Sequence, residues 1–292
     1  MNYNIEYIKY LIILSCFLLL SFSVVFCASH LSHNNSKIEQ FNITLKQKSF
    51  PSLSGPIEFN SHSFEIPKVI ISTYHTKEYI PFKVFDNINK YAVDYEHIIF
   101  DDNDIIEFLR KYYKPEVLET FNTLSMGAHK ADLFRYCYLY EFGGIYLDIK
   151  TELIKDIDTI FNKKSINLYT VICNSKECIY QGIIATVPKN PIFIDLINHI
   201  LISVKTPIND YHIFTKYFYN KLKEIYGLEK LINGKMVSLN LNTYLFNEEC
   251  TINLNDCNDG LDRYGFCCHV YDNGEQIIKI RYSDYPWLGV AK

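Results

Sequence analysis

The sequence predicts an α/β domain built on a mostly parallel sheet flanked by helices and preceded by one N-terminal transmembrane helix. Three observations carry this. Val69-Ile70-Ile71 and His97-Ile98-Ile99-Phe100 are short continuous apolar runs, the pattern of strands buried on both faces. They alternate with longer segments of helical period, as in a sheet with crossover helices. Ahead of them, Tyr10 to Ala28 carries no charged residue. As a helix that segment spans about 28 Å, enough to cross a bilayer.

The N-terminal segment is read as a retained signal anchor. Its apolar run exceeds the usual core of a cleaved signal peptide, and Phe26-Cys27-Ala28 is a poor cleavage site. Lys9 precedes it, but Lys37, Lys46 and Lys48 follow, so the positive-inside rule gives no orientation. Two acceptor triplets, Asn34-Asn35-Ser36 and Asn42-Ile43-Thr44, favour a lumenal C-terminal side with glycosylation at Asn34 or Asn42. The expected organisation is a cytoplasmic tail over 1–9, the anchor over 10–28, a polar stem over 29–63 and a catalytic domain over 64–292. That is a single-pass type II membrane protein facing the Golgi or ER lumen.

Within the domain, strands are expected at 69–71 and 97–100. The second ends at Asp101-Asp102-Asn103-Asp104, which supplies N-cap residues for a helix with Ile105, Ile106, Leu109 and Tyr112 at helical spacing. A helix over 129–142 stops at Gly143-Gly144, and the strand Ile145-Tyr146-Leu147 follows directly. Further strands are expected at 168–173 and 182–187, and helices at 192–204 and 211–226. Asp272-Asn273-Gly274 reads as a hairpin turn between Val270-Tyr271 and the strand 276–280.

Composition excludes several classes. Lys and Arg total 29 against 33 Asp and Glu, a formal charge of −4. That balance argues against a basic face for nucleic acid. An apolar share of 48% excludes disorder for most of the chain. Cysteine spacings such as 173/178 and 250/257 permit short disulfide loops in an oxidising lumen. The absence of any C-x-x-C pair argues against structural zinc.

In a parallel α/β sheet, ligands sit at the carboxyl ends of strands. Polar clusters fall there at Ser72 to Thr76, Asp101 to Asp104 and Asp148 to Lys150. Asp132 and Arg135 lie three apart on the preceding helix and so share a face. The Gly-Gly break and the next strand deliver Asp148 toward that face. Carboxylates accept from sugar hydroxyls, and a guanidinium donates to hydroxyl or phosphate oxygens. The bland alternative is an Asp132–Arg135 surface pair worth about 1 kcal/mol at most. Asp156-Ile157-Asp158 is also D-x-D in form but lies past the strand end, and is read as a solvated loop or helix cap.

Residues 129–150, HKADLFRYCYLYEFGGIYLDIK, resemble the sugar-nucleotide motif of glycosyltransferase family 32. IPKVIISTYHTKEYIP (66–81), YEHIIFDDNDIIEFL (95–109) and IIATVPKNPIF (183–193) resemble flanking segments of that family. The resemblance implies a Rossmann-like GT-A fold and transfer of a sugar from a nucleotide-sugar donor to a glycan or lipid acceptor, with retained configuration. It places Thr73 and His75 in the nucleotide loop, Asp132 and Arg135 on the donor sugar, and Tyr146 in the donor pocket. Asp148 contacts ribose or sugar. His269, Asp284 and Trp287 lie where related enzymes close over the diphosphate. The chain departs at one place: the second acidic residue of the motif, a metal ligand, is Lys150 here. Either Lys150 takes over the charge role of Mn²⁺ or Mg²⁺, or Asp148 holds the metal with His269 or Asp284.

Overall fold

The computed structural model describes residues 65–239, 241–252 and 267–280. The anchor, the stem, Asn34, Asn42, Cys257, Asp284 and Trp287 lie outside the described residues. No helix among the described residues is long and apolar enough to cross a membrane.

Among the described residues, ten strands form one sheet: β1 (Val69–Thr73), β2 (Glu96–Phe100), β3 (Gly144–Leu147), β4 (Thr151–Leu153), β5 (Leu168–Ile172), β6 (Ile179–Thr186), β7 (Gly234–Val237), β8 (Asn242–Thr251), β9 (Cys267–Asp272) and β10 (Glu275–Ile280). The helices are α1 (Phe82–Tyr91), α2 (Asp102–Tyr112), α3 (Pro115–Thr123), α4 (Gly127–Phe142), α5 (Ile157–Ile160), α6 (Ile192–Ser203) and α7 (Ile213–Tyr226). Sheet order is β2-β1-β3-β6-β5-β8-β9-β10-β4, with β7 on β8.

The sheet is mixed rather than mostly parallel. β1 pairs in parallel with β2 and β3, and β5 with β8; the other six pairings are antiparallel. The cause is connection length. Helices separate β1, β2 and β3, so those strands can return in parallel. β5 and β6 are joined only by Cys173–Cys178, and β9 and β10 by Asn273-Gly274. Connections that short permit only an antiparallel return. Even so, β1, β2, β3, β5 and β8 all point the same way, because β6 runs opposite to both β3 and β5. Their carboxyl ends therefore gather at one end of the sheet.

Local signals explain most elements. Asp101 caps α2 by accepting from Asn103 N–H and Asp104 N–H, both at 3.0 Å, and Asp104 accepts in return from Asp101 N–H at 2.9 Å. Gly143 and Gly144 both have positive φ, at 64° and 96°. A Cβ on Gly143 would lie 2.6 Å from Pro188 N, and one on Gly144 would lie 2.8 Å from the Val69 carbonyl oxygen. Only glycine fits there, and it lets β3 leave α4 without a loop. Asp156 precedes α5, and Asp158 pairs with Lys68 at 3.2 Å and accepts from Tyr95 Oη–H at 2.8 Å, as expected of a surface D-x-D.

Two apolar masses hold the sheet. On one face, Ile70, Ile145, Leu147, Phe246, Val270 and Ile278 are buried together. Elsewhere Phe100, Phe108, Phe134 and Tyr138 cluster between β2, α2 and α4, with Phe100–Phe134 centroids 4.7 Å apart. Each such ring contributes about 1.5–3 kcal/mol through burial. Cys173 and Cys178 are disulfide-bonded, as their spacing predicts. Cys250 pairs with Cys268, not Cys257, because the two lie opposite each other across β8 and β9 with Cα atoms 4.1 Å apart.

Candidate active site

Helix α4 is buried on nearly all sides, from His129 through Leu139. Asp132 and Arg135, at 5% and 4% exposure, are therefore charges in a nearly dry setting. Such charges persist only when paired and hydrogen-bonded. Arg135 Nη2 lies 3.5 Å from Asp132 Oδ1. Arg135 Nε donates to the Ala131 carbonyl at 3.1 Å, and Nη1 donates to the Gln181 carbonyl. The guanidinium lies over the Tyr146 ring, 4.2 Å from its centroid. With its amide nitrogen turned toward Asp132, Gln181 donates to Oδ1 at 2.9 Å. The pair is thus a buried assembly, not the exposed helix pair of the bland alternative.

Burial pushes the Asp132 carboxyl up, while Arg135 pulls it down. Burial works against the Arg135 cation, but Tyr146, Asp132 and Asp148 outweigh it and hold the guanidinium charged. Burial likewise raises the Tyr146 phenol to about 12, so it stays neutral. The sequence places Tyr146 in the donor pocket itself. The structure puts it behind the pocket: it is fully buried, stacked under Arg135, and shares a 2.9 Å hydrogen bond with Thr73 Oγ1.

The cleft that these groups back holds about 1050 Å³. That is at the large end for small-molecule sites. Thr73 and His75 line it from the end of β1, Asp132 and Arg135 from α4, and Asp148 and Lys150 from the end of β3. Cys173 to Ser175 line it after β5, and Glu248 and Cys250 near the end of β8. The site therefore occupies the carboxyl ends of the co-directional strands, where the sequence places it. Asp148 is held firmly. Its N–H donates to the Gly182 carbonyl at 2.8 Å, and its carbonyl accepts from Thr151 N–H and Oγ1–H at 2.8 and 2.6 Å. Its Oδ1 accepts from Lys150 N–H at 3.1 Å, which fixes the carboxylate at the head of the turn.

Among the described residues, His269 does not line the cleft. It lies on β9 opposite Glu249 and Lys279, with its Nδ1 3.8 Å from Cys267 Sγ. The structure thus does not bring it to Asp148. Several lining groups escaped the sequence reading. Gln181 was missed because the apolar run after it suggested a strand beginning at Gly182; a buried polar residue at the edge of such a run is the signal that marks it. The Cys173–Cys178 loop and Glu248 reach the cleft only through strand pairing far apart in sequence.

A divalent Mn²⁺ or Mg²⁺ wants several converging oxygen ligands. At the motif, the described residues offer the Asp148 carboxylate and, two residues on, an ammonium. Asp132 is committed to Arg135, and Glu248 Oε2 accepts from Asn174 N–H at 2.8 Å. Glu248, Cys250 and Cys268 approach one another in metal-like fashion, but the two sulfurs are joined in a disulfide and are not thiolates. Among the described residues, no group of three or more metal-ligating side chains converges at Asp148.

Residues 82–167 match the family described as the glycosyltransferase sugar-binding region containing the DXD motif. An initiation-specific α-1,6-mannosyltransferase of Saccharomyces cerevisiae is 34% identical over 94 residues, 32% of this chain and 20% of that protein. An inositol phosphoceramide mannosyltransferase of Schizosaccharomyces pombe is 32% identical over 108 residues, 36% of this chain and 30% of that protein. A mannosyl phosphorylinositol ceramide synthase of Saccharomyces cerevisiae is 29% identical over 153 residues, 50% of this chain and 39% of that protein. The chain thus spans between a fifth and two-fifths of the length of these relatives. Residues 82–167 are thus similar to the sugar-binding region of the DXD glycosyltransferases, in line with the resemblance to glycosyltransferase family 32.

Proposed function

We propose that the protein is a membrane-anchored glycosyltransferase. It moves a sugar from a nucleotide-sugar donor to a glycan, glycolipid or glycoprotein acceptor with retention of configuration, in the lumen of the Golgi or ER. The observation that supports this best is the convergence of Asp132, Arg135 and Asp148 on one wall of the cleft. Arg135 opposes the burial that raises the Asp132 carboxyl, and Asp132 and Asp148 accept from sugar or ribose hydroxyls. As the glycosidic bond breaks, negative charge grows on the leaving diphosphate. Lys150, which lines the same cleft, supplies positive charge there. Charge aimed at the atoms where charge develops lowers the barrier, because it need not reorganise during the step. The relatives named above carry mannosyl names, so mannosyl donors come first in a donor panel.

The test is release of free nucleotide from a panel of sugar nucleotides by the full-length protein. Release with one donor, lost in Asp148→Ala, supports transfer. Lys150 also favours a second reading, a relative that binds sugar nucleotide without transferring it. Donor binding with no nucleotide release and no product on any acceptor would establish that reading instead.

A further inference from the structure

A second concavity of about 450 Å³ opens beside the cleft and shares Ser175, Glu177 and Lys216 with it. One side is the face of α7 that carries Lys216, Tyr219 and Lys223, spaced three to four residues apart. Lys176 enters from the disulfide-closed loop, and Lys230 from the chain after α7. Lys216 is paired with Asp210 at 2.9 Å, which leaves Lys176, Lys223 and Lys230 to face two glutamates, Glu177 and Glu229, in one groove of a chain whose formal charge is −4. The sign of the surface reverses locally, next to the site.

Solvated lysines on an exposed helix would account for Lys216 and Lys223, but not for Lys176. That residue is held at φ 62°, in the left-handed region, inside the loop that Cys173–Cys178 closes. Its Nζ donates to the Glu248 carbonyl at 3.1 Å. An ammonium has three donors, so the fixed group keeps two for a ligand. The ligand it suits is an anion with several acceptor oxygens.

We propose that this groove receives a phosphate carried by the acceptor, so that an acceptor hydroxyl reaches the donor across the shared wall. The acceptor role rests on the glycosyltransferase reading; phosphate binding in the groove does not. The phosphate belongs to a phosphorylated glycan or to a phospholipid headgroup, and two probes separate these. Full-length protein in non-ionic detergent is titrated with glycerol 3-phosphate, with glycerol as control. It is also titrated with mixed micelles that contain or lack phosphatidylinositol.

Binding of either phosphate probe, but not its control, is expected, and the probe that binds identifies the source. Lys223→Ser with Lys230→Ser should weaken it about tenfold or more. Lys90→Ser with Lys111→Ser, which removes the same charge from exposed positions outside both concavities, should leave it unchanged. Binding that survives the groove variant, falls equally in the distant variant, or is absent for both probes overturns the proposal. Lys150→Ala adds a further check: a loss as large as in the groove variant would place the phosphate on the donor side and overturn it too. Nucleotide release in the wild type is scored separately, so failure of the transferase reading and failure of the groove are distinct results.

Discussion

Asp132 sits in a setting that penalises its charge, and Arg135 is the main group that opposes the penalty. The arginine does this with geometry as well as charge. Three of its nitrogens are directed at Ala131, Gln181 and Asp132, while its plane stacks on Tyr146. A lysine keeps the charge but can neither fork nor stack. Arg135→Lys should therefore lower donor turnover at least about tenfold, or about 1.4 kcal/mol in the transition state. Unchanged kinetics would reduce Arg135 to a structural residue of the helix. Asp148→Ala should cost about 2–4 kcal/mol in the transition state, the range for a preorganised polar contact, with the melting transition retained. Near-wild-type turnover in the folded variant would remove Asp148 from the site. Lys150 gives the third prediction at this scale. If its ammonium serves the diphosphate, turnover persists in EDTA, and Lys150→Asp introduces dependence on Mn²⁺ or Mg²⁺. Complete loss of wild-type turnover in EDTA, restored by Mn²⁺, would reject the lysine-for-metal idea.

At the scale of elements, β1 and β2 are locked by more than their parallel ladder. Ser72 Oγ donates to the Leu147 carbonyl at 2.6 Å and lies 3.0 Å from His97 Nε2, tying β1 to β3 and β2. Burial pushes the His97 imidazole down to about 4. In the unfolded chain an imidazole titrates near 6.5. Between those values the unfolded chain binds more protons, so stability is full above about pH 6.5 and falls as pH drops toward 4. The loss from this one group is about 3 kcal/mol. Chemical denaturation of wild type and His97→Gln across that window should show a shallower slope in the variant. Parallel curves would mean that His97 is not the titrating group. The same elements show what the sequence makes legible. β1, β2 and β3 are continuous apolar runs with polar ends, and α2 announces itself by its cap. β4 and β7 span only three and four residues, so no run marks them. β8 carries Asn247, Glu248 and Glu249 near the cleft, which hides a long strand inside a polar stretch. The Asp148 site was legible because its residues lie within one contiguous segment. Gln181 and Glu248 were not, because only the β3–β6–β5–β8 order brings them to the cleft.

At the scale of the whole molecule, the sheet reconciles antiparallel neighbours with a common direction for the strands that build the site. Two disulfides between described residues sit at that same end: Cys173–Cys178 closes the loop after β5, and Cys250–Cys268 ties β8 to β9. Asn174 joins them, donating its N–H to Glu248 and accepting from Cys250 N–H at 3.2 Å. Cross-links at the mouth of a cleft persist in an oxidising compartment and are reduced in the cytosol. They therefore bear on topology independently of the glycosylation triplets. Both lines bear on the proposed topology, in which the domain over 64–292 lies on the lumenal side of an expected anchor over 10–28. Expression in a secretory host should give a protein whose gel mobility shifts on endoglycosidase digestion, with the shift lost only when Asn34→Gln and Asn42→Gln are combined or when the one occupied site is removed. In sealed microsomes the domain should resist added protease, and its disulfides should resist alkylation until reductant is added. A domain open to protease in sealed vesicles, with free thiols at Cys173 and Cys178, would reverse the topology. It would also take the site out of the Golgi or ER lumen.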